Sequence, residues 1–171
     1  MSVFLQPLQT VTVGSGGASS ISFSSIPQTY TDLFVEASFR DSNGSSFVNT
    51  SISFDSSSNY SNTTLSGNGS GTGSGRTSGS TALQPWFANG SGSTSSTFTN
   101  ATLYIPNYTS SNYKSIISDM VAENNSSTAY QELAAGLYSS TSAISTINFY
   151  AASGYVQYSK FSLYGVLRQG I

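Results

Sequence analysis

The chain has 171 residues, 37% of them hydrophobic, enough to build one ordinary domain or two very small ones. It carries five cations against seven carboxylates, a net charge of −2, and has neither His nor Cys. These numbers exclude a basic nucleic-acid face, disulfides, thiolate metal sites and any catalytic arrangement that needs an imidazole or a thiol. Solubility falls instead to Ser, Thr and Asn. Eleven Tyr and ten Phe in so weakly charged a chain favour strands over long helices.

The first residues, MSVFLQPLQTVTVGSGG, lack a basic leader and an unbroken apolar stretch, so no secretory signal is expected. No later segment approaches eighteen apolar residues, so no membrane span is expected either. Residues 1–8 are expected to form an N-terminal arm in which Val3, Phe4 and Leu5 meet a partner or cover the chain's own sheet. From residue 9 to 171 the expectation is a single β-sandwich domain.

Alternation with period two then recurs. Leu8, Thr10 and Thr12 alternate with Val11 and Val13, and Ile21 with Phe23 marks a second short strand. In LFVEASFR, Leu33, Val35, Ala37 and Phe39 share one face, and Glu36, Ser38 and Arg40 the other. DSNGSS (41–46) is a turn cluster, and FVNTSISF puts Val48, Ile52 and Phe54 on one side. TALQPWF (81–87) is an apolar piece interrupted by Pro85; TFTNATLYI (97–105) alternates again. YKSIISDMVAE (113–123) and AYQELAAGL (129–137) have some helix propensity but fit strands better. AISTINFY (143–150) and YSKFSLYGV (158–166) complete the series. Eight to ten short strands with polar turns predict an antiparallel sandwich of jelly-roll type.

Between the two runs of strands lies SNTTLSGNGSGTGSGRTSGSTALQ (61–84), a linker by composition. Neither flanking half closes two sheets by itself, and each alone would leave long open edges. One sandwich shared by both halves is therefore expected, with residues 66–80 as a long Gly/Ser loop at its tip.

Candidate chemistry is thin. The seven carboxylates have no visible pairing of the kind a glycosidase needs. Asp41-Ser-Asn-Gly and Asp55-Ser-Ser-Ser-Asn resemble fragments of a calcium loop, but neither has the closing Glu, and turns are the better account. No cofactor or metal is expected. Trp86, beside Phe87 between two Gly/Ser segments, is either a core aromatic or a platform for a sugar or protein; Tyr60 is a further loop-tip candidate.

Five phrases form an ordered series: SISFSSIPQTYTDLFVEASFR, ISFDSSSNYSNTTLSGNGS, LYIPNYTSSNYKSI, AGLYSSTSAISTINF and FSLYGV. The series covers roughly residues 20–166 and resembles small virion proteins, and domains of larger ones, from tailed bacteriophages, especially those of cyanobacteria and other aquatic bacteria. The resemblance implies a structural, non-enzymatic part of the particle, made in the host cytoplasm and ending in the virion. The chain has no shaft and no heptads, which fits a capsid decoration or cement protein on the outside of the head. Such a protein would be a homotrimer bound to the major capsid protein. The alternative is a tail-fibre or baseplate module that contacts other tail proteins and host surface polysaccharide. Neither implies contact with nucleic acid or membrane, and no functional residue carries over from the family.

Overall fold

The alternating segments become strands wherever one parity is apolar, because burying one side of a pleated strand against a second layer removes that parity from water. In the computed structural model, which describes residues 3–55 and 59–168, twelve strands form. They are β1 (Val3–Thr12), β2 (Ala18–Phe23), β3 (Asp32–Phe39), β4 (Phe47–Phe54), β5 (Tyr60–Gly67), β6 (Thr72–Ser80), β7 (Leu83–Asn89), β8 (Thr99–Pro106), β9 (Lys114–Ala122), β10 (Tyr130–Tyr138), β11 (Ile147–Tyr155) and β12 (Lys160–Arg168).

Two antiparallel sheets result. The larger has the order β1-β12-β3-β8-β9-β10-β5-β6, and the smaller β2-β11-β4-β7. Each mixes strands from before and after the Gly/Ser segment, so the chain closes as one sandwich. If hairpins β5-β6 and β9-β10 are set aside, two four-stranded sheets remain, β1-β12-β3-β8 and β2-β11-β4-β7. The two hairpins widen the first of these into the eight-stranded sheet.

The core lies between the layers. From β3 it receives Leu33, Val35, Ala37 and Phe39, the parity expected from the sequence. Phe39 stacks with Phe161 at 5.5 Å between centroids, and Phe149 on the smaller sheet stacks with Trp86 at 5.7 Å. Pro85 sits in β7, the edge strand of the smaller sheet, beside a register shift between Thr50 and Ile52 of β4. Proline is tolerated there because an edge strand needs ladder hydrogen bonds on one side only.

Two expectations need correction. Residues 66–80 are not a loop: β5 and β6 pair in register from Gly67↔Thr72 to Thr63↔Arg76. The turn is made by Asn68, whose side-chain oxygen accepts from the amides of Ser70 and Gly71, each at 3.0 Å, with Gly69 at φ +84°. Residues 3–8 are not a separate arm either, because β1 pairs with β12 from Val3↔Arg168 onward.

Charged side chains hold the loops. Arg40, which alternation places opposite the apolar face of Leu33 to Phe39, is only 8% exposed. Its guanidinium donates to the carbonyls of Ser93, Thr94 and Thr97, pinning the 90–98 segment. Asp41 accepts from the amides of Asn43, Ala152 and Ser153, and Asp55 accepts from Ser145. Asp41 and Asp55, from the two stretches that resembled calcium-site fragments, thus spend their carboxylates on backbone N–H groups; residues 56–58 of the second stretch lie outside the described residues. Lys114 donates to the carbonyls of Ser110, Ser140 and Ser142 at 2.8, 3.1 and 2.5 Å, tying two loops together. Its burial lowers the ammonium pKa, and the Asp55 charge pulls it back up.

The 90–92 loop also lies hard against its neighbour. A Cβ on Gly90 would stand 2.1 Å from the Ser45 carbonyl oxygen, closer than any side chain permits.

Candidate functional site

β9 is apolar on both parities. Ile116 and Met120 point into the core, while Ile117 and Val121 point out of the sandwich. Register carries the outward set across the sheet. Ile117 lies opposite Tyr104 on β8 and Ala135 on β10; Tyr104 lies opposite Phe34, and Phe34 opposite Tyr164. One row along, Leu133 on β10 faces Leu65 on β5. Side chains paired in this way touch across a sheet, so these residues form one surface.

That surface is uncovered. Ile117 is 64% exposed, Leu65 57%, Leu133 53% and Val121 41%. Phe34 and Tyr164 are half-buried against each other at 6.2 Å. The Tyr104 hydroxyl is held by Asp32 at 2.6 Å, which fixes its ring on the same face. Single exposed aliphatics are ordinary, but a contiguous set on three adjacent strands is not.

Two hollows adjoin on this face and share Val121. One, of about 550 Å³, has Leu65 and Leu133 in its floor and the Asn68 turn, Ser126 and Tyr130 in its walls. The other, of about 330 Å³, is lined by Glu36, Asn100, Asp119, Lys160 and Tyr164. Glu36 and Asp119 are separated by β8, about two strand spacings or 10 Å between their backbones. Asp119 accepts a hydrogen bond from the Thr102 hydroxyl. The arrangement is an apolar floor with a rim of hydroxyls, amides and scattered charges, chemistry suited to contact.

The residues singled out from the sequence are not brought together. Phe4 and Leu5 lie on the edge strand β1, 61% and 49% exposed. The side chain of Val3 lies outside the described residues. Trp86 is no platform: it is 1% exposed, and its indole N–H donates to the Ser118 hydroxyl at 2.5 Å. Tyr60 is no loop-tip residue; it is buried, and its hydroxyl accepts from the Phe54 amide at 2.8 Å. Burial raises its pKa to about 12, against the pull of that amide. Phe87 is half-buried against Tyr130 at 5.1 Å. Missed were Ile117, Val121, Leu65 and Leu133. The signal was present in IISDMV, where both parities are apolar.

A buried acid also lies beneath β10, off this face. Glu132 points inward from β10, paired in register with Met120 and Ser66, and is 5% exposed. Burial raises its pKa to about 7.

No family model, curated protein or solved structure matches the chain.

Proposed function

We propose that this protein is a bacteriophage virion structural component, a decoration or cement protein that sits as a homotrimer on the outside of the head and grips the major capsid protein. The observation that carries this reading is the exposed aliphatic face of Ile117, Val121, Leu65 and Leu133. A broad, weakly charged patch on rigid strands gains from shape fit and apolar burial more than from ion pairs. The ordered phrases that resemble phage virion proteins supply the setting. The strand orders β1-β12-β3-β8 and β2-β11-β4-β7 are those of two interlocked Greek keys, and we take the sandwich to be a jelly roll with two inserted hairpins.

The test uses particles lacking the protein. They should break more readily on heating or in low salt, and adding back the parent chain should restore them. The double variant Ile117→Ser, Leu133→Ser should fold yet fail to restore them. Equal survival with and without the protein would overturn the reading.

A second reading has one feature in its favour. The hollow lined by Glu36, Asn100, Asp119 and Lys160, with Tyr164 beside them, offers donors, acceptors and a ring of the kind saccharides use. A receptor-binding tail module would be present in a few copies per particle, a decoration protein in hundreds, so copy number separates the two.

A further inference from the structure

We propose that copies of this chain join edge to edge, β6 of one beside β1 of the next, so that their large sheets continue into one another around a closed ring. This rests on the reading above that the protein self-associates on a particle, and it names the contact.

The two open edges of the large sheet belong to β1 and β6. Eight of the nine residues of β6 are exposed, on both faces. An edge of this kind presents unpaired backbone N–H and C=O groups, and proteins usually blunt it with charges, proline or a covering segment. β6 has one charge, Arg76, and no proline. β1 has Pro7 and a register shift between Pro7 and Gln9, which leaves Val3 to Gln6 as its regular open stretch.

Direction is the second point. Every neighbouring pair in the large sheet is antiparallel, and the sheet has eight strands. Because that number is even, β1 and β6 run in opposite directions. A copy related by rotation about an axis along the strands keeps its strand directions, so its β1 meets β6 antiparallel. An odd number of strands would have forced a parallel join.

The side chains agree. Phe4 pairs with Leu167 of β12 and points to the core side of the sheet. On that side β6 offers Gly73 and Gly75, which face Ser66 and Thr64 of β5. An aromatic ring laid across an edge glycine is a recognised way of fixing strand register. Leu5 points to the other side, where β6 offers Thr72 and Ser74. The stretch Val3 to Gln6 gives about 13 Å of regular edge for ladder hydrogen bonds to β6. Phe4 and Leu5 laid over the neighbour add apolar contact to that ladder, and each copy makes the join twice. A head-to-tail contact either closes or runs on as a filament; closure at three gives the homotrimer.

The chain has no cysteine, which permits a direct test. Leu5→Cys is combined in turn with Thr72→Cys, Ser74→Cys and Arg76→Cys, and each double variant is mildly oxidised. The expected result is an SDS-stable ladder of dimers and trimers for one of the three pairings. Light scattering should give the parent chain about 54 kDa, three times its 17.9 kDa. Phe4→Asp should reduce it to the monomer with its far-UV circular dichroism unchanged. A monomeric parent, or cross-linking through Leu65→Cys alone, which would mark face-to-face packing, overturns the proposal. A filament with the same β1–β6 cross-links overturns the closed ring. If the ring forms but does not protect particles, the particle reading fails and the edge contact stands.

Discussion

The indole N–H of Trp86 on the smaller sheet donates to Ser118 Oγ on the larger, and that hydroxyl in turn donates to the Thr102 carbonyl at 2.7 Å. This relay is one of the polar ties between the two layers, together with the Phe54 amide that donates to the Tyr60 hydroxyl. Both residues are buried, so removing the hydroxyl strands an indole donor away from water. Ser118→Ala should therefore cost about 1–3 kcal/mol. Trp86 is the only Trp, so its fluorescence reports the loss directly in a urea titration. An unchanged midpoint would mean that the tie carries no net energy.

Tyr155 presents the opposite case. Its hydroxyl is buried with no hydrogen-bond partner among the described residues, and burial drives its pKa upward. Its ring packs on Phe39 and Phe161. Tyr155→Phe keeps those contacts and removes the stranded oxygen. The expected gain is about 1 kcal/mol, seen as a higher melting temperature. A loss of stability would show that the hydroxyl is satisfied.

Glu132 makes stability depend on pH. Its folded-state pKa is about 7, above the ordinary carboxylate value of 4.5, so between these values the folded chain holds a proton that the unfolded chain has released. Its contribution is most favourable below pH 4.5 and declines as pH rises through 7. Glu132→Gln cannot titrate, so its advantage over the parent should grow by on the order of 2–3 kcal/mol between pH 4 and pH 8. Denaturant titrations at both pH values measure this difference. A constant offset would remove Glu132 as the cause.

Among the described residues Lys114 hydrogen-bonds to three carbonyls and to no carboxylate. Lys114→Met fills the same space and strands those acceptors. It should cost on the order of 3 kcal/mol and speed amide exchange in the 107–113 and 139–146 loops. Unchanged exchange would mean that other contacts hold those loops.

Much of the sandwich was legible from alternation alone. Leu33 to Phe39 announced β3, and Ile147 with Phe149 announced β11, because one apolar parity leaves a strand one way to face. The β5–β6 hairpin was harder. Asn68-Gly69 is a strong hairpin signal, but β6 has no apolar residue to mark a buried face. One side of its backbone pairs with β5, and β5 is held by β10, whose place in the chain comes much later. Composition correctly described its surface and said nothing about its pairing.

The chain by itself determined that both halves must share one all-β core, since period-two apolar residues with few charges can be buried only between sheets. It did not determine which aromatic would be hidden. Trp86 and Phe87 are adjacent and equally apolar, yet one is in the core and the other half out, because the β7 backbone sends successive side chains to opposite sides. Tertiary structure alone also decided that Ile117, Val121, Leu133 and Leu65 share a surface. Those residues come from three strands up to 68 positions apart in sequence, and only pairing register sets them side by side.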